Sequence, residues 1–449
     1  MDASDGRKRG RRRRIPLSGS VTRIDSLDHE GRGVARINGK VVFVDGALPG
    51  ESVELQIWQQ HPKYDLANAT RILNASSLRV VPQCPHFDRC GGCSLQHLEP
   101  RAQVAMKQRI LEDNLARIGK VECETMLSPI HGPSWGYRHR ARLSARYVAK
   151  KGGALVGFRE RRTHWVVEMN SCEILPPRIS ELIVPLRELL SAMDLAARIP
   201  QVEIAIGDDT YVLTLRVLDA PGEGDLALLR RFAIEHEVGI CLQTAGPDSL
   251  RGIDTKALPR LSYRLPEFDL EFRFLSSDFT QVNQTVNTVL VRRAVAMLAP
   301  ADGEVIADLF CGLGNFTLAL GRRGARVYGI EGSRELVERA AQNASYNGLA
   351  ERVQIFAADL FEQPAQAIAR LPKLDKILID PPRAGAFALV EALGAEAPPR
   401  IVYVSCDPAT LARDAGVLVH GKGYRLRAAG VVNMFPHTSH VESIALFER

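Results

Sequence analysis

A stretch in the second half of the chain reads Asp308-Leu309-Phe310-Cys311-Gly312-Leu313-Gly314-Asn315-Phe316. It begins at the end of an apolar, strand-like run and leads into a helix-like segment. Glycines at such a turn let the backbone approach a ligand closely. From about residue 285 onward, strand-like and helix-like segments alternate, which predicts a doubly wound parallel α/β sheet. The helix-like segments are 289–298, 316–322 and 334–347, and the strand-like ones are 305–310, 326–330, 353–357, 376–379, 401–404 and a C-terminal pair.

Acidic residues accompany this turn at the ends of the next two predicted strands. Glu331 lies 23 residues after Asp308, where a carboxylate can accept hydrogen bonds from both hydroxyls of a ribose. Asp359 ends the third strand and could face an adenine amino group. A nicotinamide cofactor stays open on spacing alone, although the full Gly-x-Gly-x-x-Gly pattern is missing. The run from Asp308 to Gly314 resembles motif I of class I S-adenosylmethionine methyltransferases, and we interpret Cys311 within it as a packing residue.

Composition bounds the class of protein. A chain of 449 residues suggests two to four domains, and 45% hydrophobic residues can build sizeable cores. No apolar run is long enough to span a bilayer, and the charged N-terminus lacks the apolar segment of a secretory signal. We therefore expect a soluble cytoplasmic protein without a membrane partner. In such a protein, the eight cysteines indicate metal binding, catalysis or burial rather than disulfides.

The net charge of +6 is unevenly distributed. Residues 1–14 carry +5 and are predicted to form a basic disordered tail, either a solvated arm or a non-specific RNA contact. Residues 136–165 carry +8, so the remainder of the chain carries −7. Two basic regions on an otherwise acidic chain indicate a polyanionic partner, most simply a nucleic acid.

The N-terminal part, residues 15–75, is predicted to be a small all-β domain. Its strand-like runs are 21–24, 33–37, 40–44 and 51–57. The dipeptide Asn38-Gly39 is a strong hairpin signal between two of them. About five short strands in this length suggest a barrel of the OB type, which often binds nucleic acid, although a generic β interaction module remains open.

The middle of the chain, residues 76–275, is predicted to be an α+β RNA-binding region ahead of a catalytic domain at 276–449. It starts with a Cys- and Gly-rich loop at 76–98, and strand-like runs follow at 164–169, 201–206, 210–217 and 268–274. Between them, an amphipathic helix is predicted over 100–118, with residue 119 as its outer limit, and it is expected to pack on the catalytic domain. Its apolar side is formed by Val104, Ile110, Leu111, Leu115 and Ile118.

Four cysteines form a candidate metal site. They are Cys84, Cys90, Cys93 and, far downstream, Cys172. Thiolates at this spacing suit either a [4Fe–4S] cluster or a Cys₄ zinc site, and His86 and His97 keep other ligand sets open. Cys123 and Cys241 are interpreted as packing residues.

Another cysteine, Cys406, follows the strand-like run 400–404 and suggests nucleophilic chemistry. Carbon 5 of a pyrimidine becomes reactive when a thiolate adds at carbon 6, and a base must later remove the carbon 5 proton. Cys406 fits the first role, Glu442 the second, and Asp380-Pro381-Pro382-Arg383 lies at the mouth of the same pocket. Alternatively, Cys406 is a buried strand-end residue and Glu442 faces solvent. An amino-methyltransferase with a similar Asp-Pro-Pro loop is also open, although Arg383 replaces the expected aromatic residue.

Three further motifs resemble the signatures of the RNA 5-methyluridine methyltransferase family. They are Asp380-Pro-Pro-Arg-Ala-Gly385, Ser405-Cys-Asp-Pro-Ala-Thr-Leu-Ala-Arg-Asp414 and His440-Val-Glu-Ser-Ile444, preceded by Phe279-Thr-Gln-Val-Asn283. The resemblance implies that Cys406 is the nucleophile and Glu442 the base. It also implies a set of residues that line the S-adenosylmethionine or uracil site: Gln281, Phe310, Asn315, Glu331, Asp359 and Asp380.

The cysteine spacing resembles the iron–sulfur branch of this family, which implies a [4Fe–4S] cluster on Cys84, Cys90, Cys93 and Cys172. Residues 28–36 and 45–51 resemble the signature of a TRAM domain. Cluster and TRAM domain together imply the branch that modifies uracil 1939 of 23S ribosomal RNA, and we expect a monomer. Another 23S site, a tRNA target, or a non-catalytic rRNA-binding protein remain the alternatives.

The basic stretch suits single-stranded RNA. Arg138, Arg140 and Arg142 alternate, so a strand would place them on one face. Aromatic residues between the basic ones could stack on bases, and the target uracil would have to flip out to reach Cys406. The plain alternative is a solvated basic sheet face. The aromatic residues are Tyr137, Tyr147, Phe158 and Trp165.

Overall fold

The computed structural model describes residues 18–253 and 258–449, so the predicted basic tail at 1–14 lies outside the described residues. The chain divides into two compact units. The first extends to Val81 and includes His97–Glu99, and the second comprises Pro82–Gln96 and Pro100–Arg449. Within the described ranges, no helix has the length and apolarity needed to cross a bilayer.

The first unit is a six-stranded sheet with the order β1-β5-β6-β4-β3-β2. Its core is aliphatic, with Val42, Val53 and Leu55 fully buried. Asn38 and Gly39 both adopt positive φ, which confirms the predicted hairpin between β3 and β4. Sequence reasoning missed β6, because polar residues interrupt the alternation of apolar ones. The strands are β1 (Ser18–Arg23), β2 (Ser26–Leu27), β3 (Gly33–Ile37), β4 (Lys40–Asp45), β5 (Ser52–Gln60) and β6 (Tyr64–Asn74).

The first half of the second unit contains a six-stranded sheet in the order β13-β12-β11-β10-β8-β9. The predicted strand at 164–169 was wrong: only a single bridge, Arg159 to Val166, forms there. Val167 and Met169 point into the core around the four cysteines instead. The elements are α1 (Pro100–Asn114), β7 (Thr125–Met126), β8 (Arg140–Val148), β9 (Gly153–Gly157), α2 (Pro177–Glu181), α3 (Ile183–Ala192), β10 (Gln201–Ile206), β11 (Tyr211–Arg216), α4 (Glu223–Glu235), β12 (Gly239–Gln243), β13 (Leu250–Gly252), β14 (Leu261–Leu265) and β15 (Leu270–Phe274).

The second half is the predicted doubly wound sheet, with the order β18-β17-β16-β19-β20-β22-β21-β7. Strands β16 to β20 are parallel, and β22 inserts antiparallel between β20 and β21. The elements are α5 (Gln284–Leu298), β16 (Val305–Leu309), α6 (Thr317–Arg322), β17 (Arg326–Glu331), α7 (Arg334–Tyr346), β18 (Val353–Ala357), α8 (Pro364–Ala369), β19 (Lys376–Ile379), α9 (Phe387–Ala392), β20 (Arg400–Ser405), α10 (Pro408–Gly416), β21 (Arg425–Val432) and β22 (Glu442–Glu448).

Helix α1 packs on the catalytic sheet through an unexpected face. A π-helical turn, Leu115–Gly119, extends it close to the predicted end. Leu111 and Leu115 join the core formed by α10 and β21, but Ile118 is 49% exposed and was wrongly assigned to the apolar side. Two polar residues, Gln103 and Lys107, complete a buried stripe at four-residue spacing. This stripe faces the segment that precedes β22, as described below.

Candidate active site and cysteine cavity

The turn between β16 and α6 is shaped by three residues with positive φ: Phe310, Gly312 and Gly314. At Gly314, φ is +89° and a Cβ atom would lie 2.6 Å from a Leu318 methyl carbon, so only glycine fits without a shift. The turn therefore brings bare backbone to the carboxyl edge of the parallel sheet, where nucleotide-like ligands bind in such folds.

The two acidic side chains at this turn, Glu331 and Asp308, differ in their burial and in their hydrogen bonds. The Glu331 carboxylate accepts hydrogen bonds from the Gly312 and Ser333 amides, at 3.0 Å each, and is thereby fixed at the end of β17. Asp308 is fully buried, and its Oδ2 accepts a 2.5 Å hydrogen bond from the Thr317 hydroxyl. Its Oδ1 has no partner, and burial raises the pKa of Asp308 to about 7. A buried acceptor without a partner fits a ligand that brings its own N–H or cationic group.

Other residues predicted to bind the cofactor lie around the same edge of the sheet. Their side chains differ in burial and in how far they are engaged within the protein. Asn315 is largely used within the protein, because it forms a reciprocal amide pair with Asn287 and accepts from the Tyr263 hydroxyl at 3.0 Å. Gln281 is half-buried just before α5. Phe310 lies with its ring 5.4 Å from the ring of Phe361, a partly exposed residue that sequence reasoning missed.

Asp359 is exposed and accepts hydrogen bonds from the backbone amides of Phe361 and Glu362. These bonds use its Oδ1 to close a turn after β18, so a local structural role accounts for part of its chemistry. Its Oδ2 remains available at the edge of the sheet.

The strand order brings Cys406 and Glu442 to one edge of the sheet. Cys406 follows the last residue of parallel β20, and Glu442 is the first residue of antiparallel β22. Ser405 pairs with Ser443 across these strands, so the thiol and the carboxyl leave the sheet at the same end. Asp407 caps α10 by accepting from the Ala409 and Thr410 amides, which turns the chain sharply away after Cys406.

Asp380 joins this pair from the end of β19. Its loop is held by the fully buried Asp414, which accepts hydrogen bonds from the Ala386 amide and the Tyr403 hydroxyl, each at 2.7 Å. Because Tyr403 lies in β20, this network ties the Asp380 loop to the strand that carries Cys406.

All three groups have raised pKa values, chiefly because they are buried. Burial raises the pKa of Glu442 to about 8, with Asp380 adding to the effect and Lys107 and Arg383 opposing it. Burial also raises the pKa of Cys406 to about 11, and both carboxyls contribute. Burial alone raises the pKa of Asp380 to about 7. A thiol and two carboxyls with displaced pKa values in one cleft are typical of a catalytic site.

Lys107 is a site residue that sequence reasoning missed. Its ammonium is fully buried and donates to the Asn433 Oδ1 and to the Phe435 carbonyl, both at 2.8 Å. Burial lowers the pKa of Lys107 to about 7, while Glu442 opposes this shift. In the sequence, Lys107 lies at four-residue spacing from Leu111 and Leu115 on one side of the helix. This spacing was the signal that its side chain points inward.

The segment of residues 433–441, here called the return loop, connects β21 to β22 and leads into Glu442. The Tyr137 hydroxyl donates to the Pro436 carbonyl at 3.0 Å, and Gln103 accepts from the His437 amide at 2.8 Å. The indole of Trp135 lies 3.9 Å from the His437 ring. Lys107 and these three residues, all from the first half of the second unit, therefore hold the return loop in place.

The four candidate ligand cysteines line one small cavity. Burial raises the pKa of Cys93 to about 11 and that of Cys172 to about 12, and the nearby Cys90 thiol adds to both. His86 is absent from the lining, and its Nε2 accepts from the Asn170 amide instead. Among described residues, no group of three or more His, Cys, Asp or Glu is arranged to hold a metal ion.

The predicted basic face is only partly available to a ligand. Arg140 and Arg142 do share one face of β8, whereas Arg138 precedes the strand. Arg140 is engaged with the carbonyls of Ser276 and Asp278 and thereby supports the segment before α5. The exposed arginines lie farther along β8. Arg142 pairs with Glu203 at 3.0 Å, and the Arg146 guanidinium lies over the Trp165 ring at 5.5 Å.

Comparison with known proteins identifies relatives of the whole chain. The family described as tRNA (Uracil-5-)-methyltransferase matches residues 260–449, and the TRAM domain matches residues 20–69, as predicted. The chain is 56% identical over 427 residues to the 23S rRNA (uracil(1939)-C(5))-methyltransferase RlmD of Azoarcus sp. strain BH72, covering 95% of this chain and 99% of that protein. It is 58% identical over 430 residues to the protein of the same name from Thiobacillus denitrificans, with 96% and 99% covered.

A solved structure confirms the predicted fold class. The tRNA (uracil-54, C5)-methyltransferase of Pyrococcus abyssi, in complex with S-adenosyl-L-homocysteine, aligns with a TM-score of 0.72. The alignment covers 96% of this chain and all of that chain at 24% identity. At this identity the likeness concerns the fold alone.

Proposed function

Since the chain belongs to the RNA (uracil-5-)-methyltransferase family, we propose that it methylates carbon 5 of uracil 1939 in 23S ribosomal RNA. The target is that of its relatives named RlmD, which match nearly their full length at 53–58% identity. The observation that carries the chemistry is the meeting of Cys406, Glu442 and Asp380 at one sheet edge, beside the turn after β16. S-adenosylmethionine supplies an electrophilic methyl group on a sulfonium sulfur.

In the proposed reaction, Cys406 loses its thiol proton to solvent and bonds as a thiolate to carbon 6 of the uracil. The electron pair of the ring double bond moves onto the carbonyl oxygen at carbon 4. When that pair returns, carbon 5 would bond to the methyl carbon as the methyl–sulfur bond breaks and leaves its electron pair on the sulfur. Glu442 removes the proton from carbon 5. The released electron pair restores the ring double bond and expels the Cys406 thiolate, and release of the proton from Glu442 to solvent returns the base to its starting state.

Asp380 is assigned to the uracil in this proposal rather than to the cofactor. Its influence on the pKa values of both Cys406 and Glu442 supports this assignment. With a pKa of about 7, the carboxyl can accept from the uracil N3–H when ionised or donate to the developing oxyanion when protonated.

The turn after β16 is proposed to hold the cofactor. The fixed carboxylate of Glu331 suits two ribose hydroxyls, and the unpartnered Oδ1 of Asp308 supports a ligand with hydrogen-bond donors. Phe310 offers a ring for adenine, whereas Gln281, Asn315 and the exposed Asp359 supply polar contacts at the rim.

We also propose that the cysteine cavity holds a [4Fe–4S] cluster with a structural role. A single zinc ion bonds each sulfur at about 2.3 Å and would draw four thiolates to one point. The four thiols line one small cavity, and four thiolates around one space also suit a cluster of several irons. The reaction itself needs no electron transfer. A monomer acting on rRNA in the cytoplasm completes the proposal.

Fluorinated RNA tests the covalent mechanism. A 23S fragment with 5-fluorouridine at 1939 should give a covalent adduct with Cys406 that survives denaturation, because fluorine cannot leave as a proton. Cys406→Ala should form none, whereas Cys123→Ala, a matched cysteine control outside the site, should react like wild type. Glu442→Gln should accumulate the adduct on ordinary RNA. A cofactor-bound wild-type enzyme that forms no adduct would refute the mechanism.

Target and cluster are tested separately. Methyl transfer to a tRNA or to another 23S segment, with none to the 1939 segment, would overturn the target. Anaerobically purified protein should contain iron and sulfide, and Cys172→Ser should lose both. Stoichiometric zinc without iron would exclude the cluster.

A further inference from the structure

Lys107 lies outside the stretch that matches the methyltransferase family, yet it bonds to the return loop that leads into the candidate base. Helix α1 at Pro100–Asn114 carries it, whereas the family match begins at residue 260. Its ammonium is completely buried and donates to the Asn433 side chain and to the Phe435 carbonyl in the return loop. Burying an ammonium is costly unless its charge and its hydrogens are used, so this placement calls for an explanation.

The charge balance around Glu442 supplies that explanation. Asp380 and Glu442 bring two carboxyls and Cys406 a thiol into one buried cleft, and these repel further negative charge. Lys107 and Arg383 are the cations that favour the ionised form of Glu442, and Arg383 is exposed to solvent. Four charged or titratable groups interact with the carboxyl: Asp380 and Arg383 from the loop after β19, Cys406 after β20, and Lys107 from α1. His437 and His440 of the return loop lie close enough to Lys107 to respond to its charge.

The histidines do not replace Lys107 as cations. Burial lowers the pKa of His437 to about 4, and burial with nearby cations, Lys107 among them, lowers that of His440. Both imidazoles are therefore neutral near pH 7. Lys107 is thus the buried positive charge of the cleft when Glu442 is ionised.

We propose that Lys107 is a positioning residue for the base step: it holds the return loop in the register that presents Glu442, and its charge favours the ionised form of this carboxyl beside Asp380. This inference rests on the proposed uracil-C5 methyltransferase function. It makes a helix from the RNA-binding half of the chain part of the catalytic device. It also predicts that Lys107 acts on proton removal and not on the earlier attack by Cys406.

Two substitutions separate the two parts of the proposed role. Lys107→Gln keeps an amide that can donate to Asn433 and Phe435 but removes the charge, whereas Lys107→Met removes both. Arg109→Met is the matched control, because Arg109 is an exposed cation on the opposite face of the same helix. Thermal unfolding and S-adenosylmethionine binding by calorimetry identify variants that fold and load normally.

The expected result is a selective loss of the base step. At pH 7, turnover on the ordinary 23S fragment falls about tenfold or more in both Lys107 variants, because losing the cation raises the pKa of Glu442 further. The rising limb of the pH–rate profile moves to higher pH, and the covalent adduct accumulates on ordinary RNA. Trapping by 5-fluorouridine RNA proceeds close to the wild-type rate. Arg109→Met behaves as wild type in each assay.

Two outcomes overturn the inference. One is a Lys107→Gln enzyme that folds and shows the wild-type pH–rate profile. The other is an equal loss of fluorouridine trapping and turnover, which would place Lys107 before the base step. If Lys107→Met unfolds, Lys107→Gln decides. Failure of the proposed function is distinguishable, because the wild-type enzyme would then give no fluorouridine adduct at all.

Discussion

The backbone amide of Ser94 donates a 2.8 Å hydrogen bond to the carbonyl oxygen of His437. The next amide, that of Leu95, donates to the same oxygen at 3.0 Å. Ser94 directly follows Cys93 of the cysteine cavity, and His437 lies five residues before Glu442. The loop that would wrap a cluster is therefore bonded to the segment that delivers the candidate base. Order in the cysteine loop should extend into the return loop.

Loss of the cluster should therefore loosen the return loop. In Cys172→Ser, we expect faster amide hydrogen exchange in residues 433–441 than in wild type, because the bonds from Ser94 and Leu95 weaken. Peptides from β16 to β18, which these bonds do not touch, should exchange unchanged. Mass spectrometry measures both regions, and Cys123→Ser serves as the control. Complete loss of iron with unchanged exchange in residues 433–441 would contradict the coupling.

Local signals were sufficient to predict the catalytic fold. The glycine turn, the alternation of strands and helices, and the residues that follow each strand belong to short windows of sequence. Parallel strands present their carboxyl ends at one edge of a sheet. The sequence alone therefore places Glu331, Asp380 and Cys406 at the same edge. The place of Glu442 followed once a terminal strand was expected to pair back into the sheet.

Long-range contacts explain what the sequence did not reveal. Lys107 meets Asn433 across 326 residues, and its polar character excluded it from any predicted core. Ile118 looked like part of the apolar side, yet the helix turns Gln103 and Lys107 inward instead. The cost of burying such polar groups is offset only by partners far away in the chain. Residue patterns within one helix contain no information about those partners.

The pH dependence of turnover should reflect the raised pKa of Glu442. The base must be ionised, and burial raises its pKa to about 8, so below that pH the active fraction falls about tenfold per unit. The rate of single-turnover methyl transfer is therefore expected to rise from pH 6 to above 8. Glu442→Gln should lose this limb together with its activity. A profile that is flat from pH 6 to 9 would show that the base titrates elsewhere.

Gly314→Ala should weaken binding of S-adenosylmethionine. The new methyl group would lie 2.6 Å from a Leu318 carbon at a φ of +89°, so the turn that faces the cofactor must shift. The matched control is Gly348→Ala, where φ is +67° but nothing lies within 4 Å of the added Cβ atom. Both variants should lose about 1–2 kcal/mol of stability from the positive φ. Calorimetric titration should show at least about tenfold weaker cofactor binding in Gly314→Ala alone, and equal affinities would contradict the assignment.

The exposed pair of Arg146 and Trp165 should contribute to RNA affinity. Trp165 is 56% exposed, and the Arg146 guanidinium lies 5.5 Å from its ring centre, so base stacking and phosphate contact are available at one place. Trp165→Ala should cost about 1–3 kcal/mol of binding energy if a base stacks there. Arg146→Ala should also reduce the slope of log affinity against log salt by about 0.9 if it contacts one phosphate.

The controls for this surface are an exposed cation and an exposed apolar side chain elsewhere on the protein. Arg198→Ala removes an exposed cation that already pairs with Asp219, and Ile234→Ala removes an apolar side chain that is 80% exposed on α4. Fluorescence anisotropy with the 1939 fragment at several salt concentrations should leave both controls at wild-type affinity. If Trp165→Ala binds as tightly as these controls, the RNA does not stack on Trp165. An unchanged salt slope in Arg146→Ala would likewise remove the phosphate contact, and the basic charge of residues 136–165 would then act only through long-range attraction.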